Sequence, residues 1–444
     1  MLPLLLIIFL SYYVLRSVRY MLKRGHDLYA LAFLTLYAYT IFAQIGYAFF
    51  PEISNFFGAY FGPELFYKYW AYMFFSFFLS FLLYKILNRE KAINSSYIVK
   101  RTKRNFGQYI FFFIVFFLYW GLSIYFIKYR GIFGYGGGTP MGGPWFGIGF
   151  LLFQSCTFIL WTLFRDNTNG IKKRIFCFTM FVFCMVFFLK VVIASGTRSP
   201  IFYFFLGVTF YELSPVINAV KYRKKQIYVF ICASFLLVSY LSMLRAIRLR
   251  GEEINFSSFA NYEDANSNFE DSNEGVAAVV LGQDYFLPSH TLFASMHYEI
   301  INPLEVFKSN FFNSLVKFKY PFLSNTIVER VTGEKLERGA GWSYHYFIEG
   351  YNALGLFGVF YSALFWNIGM YVWTALAKSN NRNHNRAMLA LLSIFIVNTM
   401  RGQTATFIQF YWLKLLPGLG LLLLANNSKI IFFKRRVNKM ITHE

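Results

Sequence analysis

Three groups of residues in this chain have the type and spacing for chemistry, and all of them sit where apolar segments end. His345, Glu349 and Asn352 follow an i, i+4, i+7 pattern, so a helix through them would carry all three on one face. A carboxylate there can serve as a general base, tuned by partial burial and by nearby arginines. The alternative is a polar helix entry with a satisfied histidine. Arginines form the second group. Arg198 lies in the turn Ser195-Gly-Thr-Arg-Ser-Pro200, Arg401 ends an apolar segment ahead of a glycine, and Arg245 and Arg248 are three apart on one helical face. Guanidinium forks suit bidentate binding of phosphate or pyrophosphate. The same arginines also suit lipid headgroups, or an ion pair with Glu252 or Glu253. The third group is aromatic: Trp342, Tyr344 and Tyr346 could stack on sugar faces or belong to an interfacial belt.

Other chemistries fit poorly. His290 and His297 are seven apart with no cysteine or carboxylate motif beside them, so no metal site is expected. Cys156, Cys177, Cys184 and Cys232 all lie in apolar segments without zinc-type spacing, which argues against a disulfide framework. The glycine-rich stretch 131–144 is not a P-loop, because no strand precedes it and no Gly-Lys-Ser/Thr follows it. No cofactor is implied.

The elements that must position these residues are membrane helices. Of the 444 residues, 57% are hydrophobic and 22% aromatic, and the mean hydropathy is +0.44. These values lie outside the soluble globular range. The net charge of +22 falls in short clusters between apolar segments, for example Lys221 to Lys225 and Lys429 to Lys439. That is the positive-inside pattern rather than a nucleic-acid footprint.

Segments of spanning length fall near 28–50, 67–87, 109–127, 145–164, 175–194, 201–217, 227–244, 351–376, 387–400 and 407–425. Segment 2–21 spans if Arg16 and Arg19 snorkel, and counting it predicts an all-α protein of about eleven transmembrane helices. The basic clusters place the N-terminus and the large loop outside and the C-terminus in the cytoplasm. Three parts follow: transmembrane helices over 1–244, a large external loop over 245–350, and helices with a basic tail over 351–444. Within the loop, 252–284 reads as a mobile lid or disordered stretch rich in Asn, Ser, Asp and Glu. By contrast, 286–319 predicts amphipathic helices at the membrane surface, with Phe293, Met296, Ile300, Leu304, Phe307, Phe311 and Leu315 as the apolar positions. Gly355 and Gly358 predict close helix packing. A transferase with an external site has no ATP or nucleotide sugar, so its donor must cross already activated. A polyprenyl-pyrophosphate sugar meets that need, and its leaving group suits arginines.

In this layout the chain resembles the bacterial oligosaccharide repeat-unit polymerases of the Wzy type, which build O-antigen and capsule. The resemblance rests on the large external loop before the last helices and on Ser195-Gly-Thr-Arg-Ser-Pro200. It rests also on Gly339-Ala-Gly-Trp through Ile-Glu349-Gly-Tyr-Asn352-Ala-Leu-Gly355-Leu-Phe-Gly358, and on Met400-Arg401-Gly402. It implies a metal-independent, inverting glycosyltransferase of the bacterial cytoplasmic membrane, with a GT-C-like fold similar to the O-antigen ligases. The substrate would be undecaprenyl-pyrophosphate-linked oligosaccharide, and a chain-length regulator protein is an expected partner. By motif, Arg198 and Arg401 would grip the pyrophosphate and Glu349 would orient or deprotonate the acceptor hydroxyl. Arg245 and Arg248 match no fixed pattern. Ligases show a histidine followed by asparagine at loop re-entry, whereas His345 is followed by Tyr346. A ligase, or a transporter of the same saccharide lipids, are the alternatives.

Overall fold

A computed structural model describes residues 2–49, 63–88, 106–128, 143–166, 169–195, 204–205, 207–208, 211–212, 291–315, 323–332, 344–376, 382–400, 402–410 and 415–426. Among these residues the chain is helical throughout, with no strand. The first six helices are α1 (Leu2–Lys23), α2 (Asp27–Phe49), α3 (Pro63–Leu87), α4 (Phe106–Lys128), α5 (Gly143–Arg165) and α6 (Ile171–Ser195). Next come α7 (Pro303–Leu315) and α8 (Leu323–Thr332). Then come α9 (Tyr346–Leu354), a 3-10 turn (Gly355–Phe357), α10 (Gly358–Leu376), α11 (Arg382–Met400), α12 (Thr404–Phe410) and α13 (Leu416–Asn426).

Six helical stretches among the described residues are long and apolar enough to cross a membrane, so this is a helical membrane protein of the multi-pass kind. Their burial pattern agrees with that setting. In α4, Phe113, Phe117 and Trp120 face outward. Polar side chains turn inward instead: Ser76 and Ser80 of α3, Thr157 of α5 and Asn367 of α10 are all buried. A water-soluble bundle would show the opposite sorting. Asn367 donates to the Ser80 carbonyl at 3.0 Å, tying α10 to α3. Gln108 at the start of α4 donates to the Ala425 carbonyl of α13 at 2.8 Å. Helix α2 packs on α1, α10 and α11, and α13 packs on α4, α5 and α11. Cys156, Cys177 and Cys184 are free and buried, while Cys232 lies outside the described residues.

The segment near 351–376 differs from its sequence reading. Its helix starts earlier, at Tyr346, and it is not one continuous rod. At Gly355, φ is +59°, a conformation that favours glycine, and a 3-10 turn follows. Helix α9 folds back on α10 so closely that a Cβ on Gly350 would lie 2.2 Å from the Gly358 carbonyl oxygen. A Cβ on Gly358 would lie 1.8 Å from the Gly350 oxygen. Two glycines therefore allow the contact, and a third makes the turn. The expected close packing at Gly358 is present, but its partner, Gly350, lies in the same stretch of chain.

Candidate functional site

The folded-back helix α9 is buried from Tyr346 to Ala353. Its N-cap is His345, whose Nδ1 accepts from the Phe347 N–H at 3.2 Å. Because Nδ1 accepts, the ring is neutral with its proton on Nε2. That nitrogen lies 3.2 Å from both the Leu36 carbonyl oxygen and the Thr40 hydroxyl of α2. Burial pushes the imidazole down to about 4, in keeping with the neutral form. Both ring nitrogens of His345 are therefore engaged in holding α9 against α2.

Glu349 is 1% exposed and is the centre of the site. Its Oε1 accepts from Asn310 Nδ2 of α7 and from the Tyr361 hydroxyl of α10, each at 2.6 Å. Its Oε2 accepts from the Thr404 backbone N–H of α12 at 2.5 Å. Asn310 Nδ2 also reaches the Tyr361 oxygen at 3.3 Å, and Asn310 Oδ1 accepts from the Ala405 N–H at 3.0 Å. Every partner of Glu349 is a donor, an environment that suits a carboxylate acceptor. A buried carboxylate without such donors would be prohibitively costly. The first amides of α12 have no carbonyl one turn back to bond to, and Glu349 and Asn310 supply the missing acceptors.

Local sequence explains why α7 can deliver Asn310. The helix opens Asn302-Pro303-Leu-Glu305, with Asn302 at the N-cap and proline at the first helical position. Asn302 Oδ1 accepts from the Glu305 N–H at 3.1 Å, and Asn302 Nδ2 donates to Glu305 Oε2 at 3.2 Å. This is a variant of the reciprocal capping box. On the buried side, the Ser309 hydroxyl accepts from Gln403 Nε2 at 3.1 Å. Gln403 Oε1 in turn accepts from the Leu323 N–H at the start of α8 at 3.2 Å.

The other expected site residues divide into two sets. Asn352 and Tyr344 are described and buried, with the Tyr344 hydroxyl donating to Asn352 Oδ1 at 3.0 Å. Asn352 Nδ2 donates to the Ile300 carbonyl at 2.7 Å. Glu349 and Asn352, three apart on α9, both turn toward residues 300–310, whereas His345 caps the helix and turns to α2. Trp342, Arg198, Arg245, Arg248 and Arg401 lie outside the described residues. Asn310, Tyr361, Gln403 and Thr404 were not singled out from sequence. Only Asn310 had a legible signal there, the polar row Ser309, Asn310 and Asn313 along one side of α7. Among the described residues, no group of three or more His, Cys, Asp or Glu could hold a metal ion. In comparisons with protein-family models, curated proteins and solved structures, nothing matches this chain.

Proposed function

We propose that the protein polymerises polyprenyl-pyrophosphate-linked oligosaccharide repeat units at the external face of the bacterial cytoplasmic membrane, building O-antigen or a capsular polysaccharide. One observation carries this reading. A helix of the large loop, the loop re-entry helix and the chain just after Arg401 all meet at one buried carboxylate, Glu349, which bonds to Asn310 and to the Thr404 amide. The re-entry helix and the residues just after Arg401, two of the places that support the resemblance in sequence, thus meet at a group with acid–base chemistry. The reading includes about eleven spans, the N-terminus outside and the C-terminus in the cytoplasm.

In this reaction the acceptor hydroxyl of one lipid-linked repeat attacks the anomeric carbon of the growing glycan. The bond from that carbon to the pyrophosphate oxygen breaks, and a glycosidic bond forms with inversion. Glu349 takes the hydroxyl proton, and polyprenyl pyrophosphate leaves with the bonding electron pair. Arg198 and Arg401 stabilise the negative charge developing on the leaving group, with Arg245 and Arg248 as further contacts. Tyr344, Trp342 and Asn352 are assigned to the acceptor side. Glu349 is closed off by Asn310 and Tyr361, so a hydroxyl reaches it only when one of these donors gives way.

The test is to delete the chromosomal gene and complement it with wild type, Arg198→Ala or Glu349→Gln at matched membrane levels. The surface glycan is then run on a gel. The proposal expects wild type to restore a ladder and both variants to stay at a single repeat. Ladders of equal length in every strain would sink it, and loss of all surface glycan with lipid-linked repeats trapped inside would point to a transporter.

A further inference from the structure

The sides of α7 are sorted in the reverse of a helix in water. Val306, Ser309 and Asn313 are buried, and Asn310 is turned to Glu349. The opposite arc carries Leu304, Phe307, Phe311 and Phe312, all exposed, Phe307 at 65%. A helix of an external loop that met water there would expose its asparagines and bury its phenylalanines. The apolar arc also continues beyond α7. The Asn302 N–H donates to the Asn352 carbonyl at 2.8 Å, and Ile301, itself exposed, lies beside Gly355. The start of α7 is thereby fixed against the turn at Gly355–Phe357. That turn exposes Leu356 and Phe357, the latter at 75%, and α10 carries the row onward through Phe360, Leu364 and Ile368. Helix α10 belongs to a stretch apolar and long enough to cross a membrane.

We propose that the hydrocarbon layer of the bilayer covers the outer face of α7, so that this loop helix is embedded side-on in the membrane. The occupant is fixed by continuity with the outward row of α10 through Ile301, Leu356 and Phe357, and by the reversed polarity of α7. Lys308 is the one cation within the arc. It is half-buried, and its four-carbon stem lets the amine reach the headgroup level. Its consequence for the site is direct. Asn310, on the inner face of the same helix, closes Glu349 from the membrane side, so access to the carboxylate involves a helix held by lipid. The inference concerns where α7 lies and stands independently of the glycosyl-transfer reading.

Spin labels on the full-length protein in liposomes test it. Labels are placed at Leu304→Cys, Phe307→Cys and Phe311→Cys. Phe360→Cys serves as the lipid reference and Arg330→Cys, an exposed position near the end of α8 whose guanidinium lies 3.5 Å from Glu305, as the aqueous reference. Each label's collision rate is read with oxygen, which concentrates in the acyl layer, and with a water-soluble nickel chelate. The expected result is an oxygen-to-nickel ratio at all three α7 positions matching that at Phe360. A ratio matching Arg330 overturns the proposal in favour of water, and low collision with both reagents overturns it in favour of a cover made by protein. These side chains are outward, so truncation leaves the fold intact, and three positions guard against one local disturbance.

Discussion

The buried carboxylate is held by donors from three other helices, and this makes the consequences of single substitutions specific. Removing Asn310 by Asn310→Ala takes one hydrogen bond from Glu349 and leaves the Ala405 amide without its acceptor. A hydrogen bond to a charged group is worth about 1.5–3 kcal/mol. Asn310→Ala and Tyr361→Phe should each lower the thermal midpoint of the purified protein, and the double variant should depart from their sum because the two side chains act on one oxygen and bond to each other. Additive losses would show that the two donors do not share Glu349. His345 gives a different signature. Its imidazole is neutral in the fold, down to about 4, while in the unfolded chain it protonates near its ordinary value of about 6.5. The unfolded state therefore binds more protons between those values, so stability is fully present above about 6.5 and falls as pH drops towards 4. His345→Asn keeps a capping side chain, and its stability should vary less over that window than wild type. An unchanged pH slope would contradict the assignment of His345 as a buried neutral cap.

At the level of elements, the fold-back of α9 on α10 is the feature most exposed to disruption. Gly350→Ala or Gly358→Ala sets a methyl group against backbone that cannot move aside. Overpacking of this kind costs about 1–3 kcal/mol, and both variants should lose thermal stability. Gly121→Ala on α4 has nothing within 4 Å and should be close to neutral. Equal effects of all three would mean that α9 does not pack on α10 at this distance. The same region shows what sequence can and cannot disclose. The apolar run, Gly355 and Gly358 were legible as a segment with close packing. That Gly350 was the partner was not legible, because a continuous helix and a folded-back one share the same composition. The i, i+4, i+7 spacing assumed a helix running through His345. The helix in fact begins one residue later, so His345 turns to α2 while Glu349 turns to α7, α10 and α12.

For the whole molecule, hydropathy alone located most of the helical layout, since spanning segments need long apolar runs and the described helices begin and end near them. The site was harder to read. Glu349 stood out as a carboxylate at a segment end, but Asn310 lies 39 residues before it and Thr404 lies 55 after it, and no local pattern links such distant positions. Of the apolar positions expected at the membrane surface over 286–319, Leu304, Phe307 and Phe311 are exposed, whereas Phe293, Met296 and Ile300 are buried, because periodicity gives two faces without saying which one packs on protein. The arrangement predicts that α7 is integral to the membrane domain. Through Asn310, Ser309 and Gln403, helix α7 joins α9, α10 and the chain after Arg401 into one packed unit.

The most direct measurement is made with the purified protein in liposomes, supplied with a single undecaprenyl-pyrophosphate-linked repeat unit and no other enzyme. Product length is read on a gel for wild type and for Glu349→Gln, after both are shown to elute as folded protein. The account predicts a ladder of increasing length from wild type, with release of polyprenyl pyrophosphate, and only the starting repeat from Glu349→Gln. Folded wild type that leaves the repeat unextended, or Glu349→Gln that extends it at the wild-type rate, would contradict the central claim.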